Sequence, residues 1–132
     1  MGYFLQQVNI KMTKPLNDRE LLELAAKAAG YEAWDWLGGD GLLNVYDANG
    51  RHDCWNPLAD DGDALRLAVN LGINISFPPY MKHERPVVHA GKYWDNSDDC
   101  WYPFEELLDI NPYAATRRAI VRAAAQIGRE MK

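Results

Sequence analysis

The chain has 132 residues, 48% of them hydrophobic and 25% charged, with a formal net charge of −5. That length fits one domain and is too short for two independent cores, because small domains bury too little surface to be stable. The composition excludes intrinsic disorder, and the acidic balance argues against a nucleic-acid binder, whose phosphate contacts need a basic face.

No apolar run approaches the roughly 20 residues that span a bilayer. Residues 1–14 lack the basic start and continuous apolar stretch of a signal peptide. The expected compartment is therefore the cytoplasm. Two cysteines, Cys54 and Cys100, do not make a disulfide scaffold, and both are expected as thiols in that compartment.

Along the chain, Asn17-Asp18 offers a helix cap, with Leu21, Leu22, Leu24, Ala25 and Ala28 behind it and Gly30 as the stop. This helix is short and rich in alanine, so its apolar face must pack closely on something flat. Trp34-Asp35-Trp36 and the glycines at 38, 39 and 41 read as loop. Leu43 and Val45 then alternate with Asn44 and Tyr46, and Asn49-Gly50 is a hairpin turn returning through His52 to Trp55. Asp60, Asp61 and Asp63 precede a helical period, Ala64, Leu65, Leu67, Ala68, Leu71, that ends at Gly72.

Ile73, Ile75 and Phe77 follow with a period of two, stopped by Pro78-Pro79. Residues 86–89 form another extended stretch, which Ala90-Gly91 turns into 92–95. The last helix is the plainest element: Asn111 caps it, and Pro112 occupies its first position, where the missing N–H costs nothing. Its expected buried stripe is Ala115, Ile120, Ala123, Ala124, Ile127 and Met131. Helices at both ends and in the middle, separated by hairpin signals, predict an α+β fold with a mainly antiparallel sheet and helices packed on it.

Four stretches carry a likeness: MTKPLNDRELLELAAKAAG (12–30), WNPL (55–58), DDGDALRLAVNLGINI (60–75) and NPYAATRRAIVRAAAQIGREM (111–131). They resemble the phage α-β-α (ABA) sandwich family of small bacteriophage and prophage proteins. The resemblance implies a sheet sandwiched by helices and a phage or prophage source, hence a bacterial host cell. It implies no mechanism. It is loose between 77 and 109, and it divides the chain into an N-terminal extension, 1–11, and a single domain, 12–132.

A search for catalytic machinery finds no P-loop, no G-x-G-x-x-G and no G-x-S-x-G. Outside the last helix the hydroxyl side chains of serine and threonine are Thr13, Ser76 and Ser97, none near a base in sequence. His52 with Cys54, His83 with His89, and the turn acids Asp47 and Asp53 match no metal-site spacing. No cofactor or metal is therefore assigned. Asp60, Asp61 and Asp63 have a simpler account as acids at a helix N-terminus, each worth roughly 0.3–1 kcal/mol.

Two features point to binding. Of five tryptophans, Trp34, Trp36, Trp94 and Trp101 lie among Asp, Asn and Gly, Cys or Tyr rather than in periodic runs. They form either a stacking surface or a roof over the core. Arg118, Arg122 and Arg129 fall on one stripe of the last helix, flanked by Arg117. They are either a phosphate or acidic-partner site, or a solvated face.

The reading is a phage accessory protein that binds a host or phage protein, or its own copies as a homo-oligomer, without turnover. The second reading is a binder of a small phosphorylated metabolite such as a nucleotide signal, with arginines for phosphate and tryptophans for the base. The third is a hydrolase whose site assembles only in three dimensions. Convergence of the arginines and tryptophans on one concave pocket would favour the second. For the first reading, Trp34→Ala or Trp94→Ala is expected to weaken association by about 1–2 kcal/mol while lowering thermal stability less than Ile120→Ala does. Titration and melting of the three variants check that ranking.

Overall fold

Each helix-start signal in the sequence opens a helix in the computed structural model, which describes residues 15–37, 42–46, 50–79, 85–92 and 104–131. Helix α1 spans Asp18–Ala28. Asn17 Oδ1 accepts from the Glu20 N–H at 2.8 Å, and Glu20 Oε1 accepts from the Asn17 N–H at 3.0 Å. This reciprocal box satisfies two of the donors that a helix start leaves bare. Gly30 terminates it at φ +79°, where a side chain would be strained. There the Tyr31 N–H reaches Ala26 O at 2.9 Å and the Gly30 N–H reaches Lys27 O at 3.1 Å, the paired bonds of a Schellman stop.

Helix α2, Asp61–Leu71, is capped by Asp60 and ends in the same manner at Gly72, with the Ile73 N–H on Ala68 O at 2.9 Å. Helix α3, Pro112–Glu130, starts on Asn111, whose side chain accepts from the Ala114 N–H at 3.0 Å.

The strands form two antiparallel sheets of three. The first is β1 (Glu32–Leu37), β2 (Leu42–Tyr46) and β3 (His52–Trp55); the second is β4 (Asn74–Ser76), β5 (Val87–Gly91) and β6 (Phe104–Leu107). The α+β class, the antiparallel pairing and the helices packed on strands hold, with the strands divided between two sheets.

Three local readings change. Trp34-Asp35-Trp36 is not loop but the middle of β1, paired with β2 through a register shift between Ala33 and Asp35. Such an irregularity breaks the period of two that marks a strand. Ala90-Gly91 is not a turn but the end of β5, with Ala90 opposite both Ile75 and Phe104. Both residues are buried, and their small size suits the close approach of α3. Strand β6, FEEL, gave no sequence signal because one of its two core-side residues is Glu106, held there by Arg122.

Helix α3 is the hub. It packs most extensively on α1, and also on β5, β6 and α2. Hence the expected stripe was too narrow. Ile120, Ala123 and Ala124 are buried, and Ala115 and Ile127 pack against the core from its edge, but Met131 is exposed. Ala119, Val121, Ala125 and Gly128, outside that stripe, are buried as well. A helix flanked by elements on several sides needs small apolar residues around more of its circumference.

Helices α1 and α3 run the same way. Asp18 meets Arg118 at 2.9 Å near one end, and Lys27 Nζ donates to Met131 O at 3.0 Å at the other. They come close at Gly128, where an added Cβ would overlap Leu24 O and stand 2.9 Å from its carbonyl carbon. The short alanine-rich helix thus finds its close, flat surface on another helix.

Gly128→Ala is expected to destabilise the fold, although alanine favours an isolated helix by about 1 kcal/mol over glycine. The overlap is with backbone, so α1 must move away. An unchanged or raised denaturation midpoint would mean α1 can shift without loss. Ile120→Ala is expected to cost roughly 2–5 kcal/mol as a buried truncation.

Candidate functional site

The residues singled out by sequence separate into structural anchors and lining. Asp60 caps α2, accepting from the Asp63 N–H at 2.8 Å. Asp63 Oδ2 accepts from the Asn56 N–H at 3.0 Å and its other oxygen from Arg66 at 2.9 Å. Asp61 holds Arg117 at 2.6 Å, and the Arg117 Nε–H also donates to Leu58 O at 2.8 Å. Each acid therefore has a fold-holding partner, and the three are not a catalytic cluster. Asp63 in turn holds the Arg66 guanidinium above its ordinary pKa, chiefly by that hydrogen bond.

The arginine stripe does converge. Arg118, Arg122 and Arg129 line one cleft of about 330 Å³ between the start of α1, β6 and α3. Its walls include Leu16, Leu21 and Phe104, with Gln126 between the arginines. Two of the three arginines also hold carboxylates. Arg118 pairs with Asp18. Arg122 pairs with Glu106 at 2.5 Å, donates to Glu105 O at 3.2 Å and lies 4.9 Å over the Phe104 ring. Among the described residues Arg129 has no carboxylate partner and stands exposed.

The tryptophans singled out by sequence fall outside the described residues of this cleft. Trp34 and Trp36 sit in β1 as backbone positions, and Trp94 and Trp101 lie outside the described residues. Trp55 is buried in the core, edge-on to Tyr31 with ring centroids 5.4 Å apart. Among the described lining residues the aromatic wall of the cleft is Phe104.

A second cleft, of about 430 Å³, was not foreseen. It lies between α2, β4 and the first turns of α3, and is lined by Ala64, Leu65, Ile75, Phe77, Tyr113 and Ile120 among others. Around it the side chains of Leu65, Phe77 and Tyr113 are 60%, 60% and 70% exposed, and Val69, one turn along α2, is 71% exposed. Leu65 and Val69 are four residues apart, so they share one helix face. Leu65, counted in the apolar period of α2 from the sequence, is exposed instead, and Val69 lies off that period.

One further arrangement escaped the sequence. Ser76 on β4 is registered opposite His89 on β5, and His89 opposite Glu105 on β6. His89 Nε2 is 2.8 Å from Glu105 Oε1. The base that Ser76 lacked in sequence is thus its neighbour across the sheet. Ser76 and His89 line neither cleft, and the row lies on the sheet face away from Val88 and Ala90, which are buried. Acyl transfer needs in addition a pocket and oxyanion donors.

Cys54 is exposed, is in no disulfide, and its thiol lies 3.6 Å from the Oδ1 of buried Asn44; Cys100 lies outside the described residues. No group of three or more His, Cys, Asp or Glu able to hold a metal occurs among the described residues. Nor is any helix among them long and apolar enough to cross a membrane. Compared with protein-family models, curated proteins and solved structures, the chain matches none.

Arg122→Glu sets a carboxylate against Glu106 and removes the cation over Phe104. The pair is partly exposed, so the expected loss is about 1–2 kcal/mol, below that of a fully buried pair. Adding Glu106→Arg to the same chain is expected to recover more than half of it in a melting experiment. No recovery would show that Arg122 acts through packing rather than charge.

Proposed function

We propose that this chain is a non-catalytic protein-binding module that engages its partner through the apolar face of α2, β4 and the start of α3. The observation that carries the reading is the set of large exposed apolar residues that line one groove, Leu65, Phe77 and Tyr113, with exposed Val69 one turn along α2 from Leu65. Isolated exposed apolar residues are ordinary, but contiguous ones around a concavity mark interaction surfaces. Aromatic anchors such as Phe77 and Tyr113 are the side chains that most often dominate binding energy.

This reading sets the binding surface on a face the core leaves uncovered. The groove floor is built from the same residues that secure the fold, Ile120 and Ala64. An apolar side chain entering it would therefore meet a rigid surface, which lowers the entropic cost of association. The sequence resemblance to phage ABA sandwich proteins extends the reading to an accessory role in a phage or prophage, acting on a host or phage protein.

The test is a double substitution, Leu65→Asp with Val69→Asp, on two exposed positions of α2. It is expected to weaken binding to the partner at least tenfold, about 1.4 kcal/mol, while leaving the melting midpoint within a few degrees of the parent. The partner is first captured from bacterial lysate, then purified and titrated with both chains. Sedimentation of the isolated protein runs in parallel to detect self-association through the same face. Equal affinity of both chains for the purified partner would place the interface elsewhere.

A further inference from the structure

The arginine-lined cleft is a different surface from the apolar groove, and the chemistry of its walls is asymmetric. Along α3, Arg118 and Arg129 are eleven residues apart, about 16 Å at roughly 1.5 Å per residue. At the Arg118 end, Asp18 in the first turn of α1 already takes the guanidinium. In the middle, Arg122 is bound to Glu106 and spread over Phe104. Only the Arg129 end presents a guanidinium without a carboxylate partner among the described residues, beside the Gln126 side chain. With two arginines paired to Asp18 and Glu106, the cleft keeps one net positive charge in a protein of net charge −5.

Beside that charge lies apolar wall. Leu16, Leu21 and Phe104 line the same cleft, whose volume of about 330 Å³ falls at the small end of ligand sites. A bare inorganic anion would use the charge and leave the wall wet. A neutral apolar molecule would use the wall and leave Arg129 and Gln126 unmatched.

We propose that the cleft binds a small organic oxyanion, its acidic head on Arg129 and Gln126 and its apolar body over Leu21 and Phe104. A guanidinium fork accepts a carboxylate or a phosphate monoester in the same two-bond geometry, and an aromatic or branched aliphatic body fits the wall. Arg129 stands in the last turn of α3, where the carbonyl end of the helix disfavours an anion. Lys27, whose amine caps Met131 O in the same region, offsets that field together with Arg129 itself.

The experiment titrates the full chain with phenyl phosphate, benzoate, inorganic phosphate and phenol, following backbone amide resonances. Phenyl phosphate or benzoate is expected to give saturable shifts on α3 near Gln126 and on β6 near Phe104, with affinity at least tenfold above that of inorganic phosphate and of phenol. The tighter of the two anions identifies the head group. Arg129→Ala is expected to weaken the better anion at least fivefold with an unchanged melting midpoint. Arg66→Ala, which removes an exposed arginine elsewhere, is expected to leave affinity unchanged. No saturable shift from either organic anion overturns the proposal. So does equal binding of inorganic phosphate, or affinity that survives Arg129→Ala. Because no residue is shared with the Leu65–Val69 test, the two proposals fail or stand separately.

Discussion

The place where Gly128 meets the carbonyl of Leu24 governs how this chain is assembled. Not even a Cβ fits between the two backbones there, so α1 and α3 approach closely. That proximity explains the alanines at 25, 26, 124 and 125, all buried. Larger residues would separate the axes. The gain is a dense contact between two helices that have few large apolar side chains of their own. Such packing trades area per residue for a high density of van der Waals contacts.

Parallel helices set their dipoles side by side, an arrangement that needs compensation at both ends. The compensation is visible. Asp18 and Glu20 stand at the start of α1, Arg118 reaches across to Asp18, and Lys27 closes the far end on the Met131 carbonyl. Elsewhere on α3, Arg117 joins the start of α2 through Asp61 and Leu58, and Arg122 joins β6 through Glu106. Three arginines on one helix thus serve three different neighbours. The stripe seen in sequence as a surface feature is in large part the means by which the hub helix is oriented.

How much of this was legible depends on whether the signal was local. Caps and stops at Asn17, Gly30, Asp60, Gly72 and Asn111 are properties of a few adjacent residues, and each is where the sequence puts it. The class of the fold followed from their order. Strand β1 and strand β6 were hidden because their identity comes from partners distant in sequence. A register shift obscures Ala33 to Trp36, and the inward Glu106 is intelligible only beside Arg122. The full buried surface of α3 was hidden for a related reason: one helical stripe is readable by period, but being surrounded is a property of the assembly. Of the candidate site, the convergence of the arginines was legible from helical spacing. Their carboxylate partners on other elements, Asp18 and Glu106, were not, and neither was the apolar groove, which draws on three separated segments.

The tie between Asp18 and Arg118 joins residues 100 apart in sequence. The hub that covers α1 and β5 is thus synthesised after every element it packs against. Until α3 emerges from the ribosome, Leu21, Leu22, Val88 and Ala90 have no cover, and the second sheet has no helix to lie on. Contacts of such long range slow folding and leave apolar surface open to aggregation in the interval. For α1 and the second sheet, burial therefore waits on the synthesis of α3, and their time of exposure is set by translation as well as by folding.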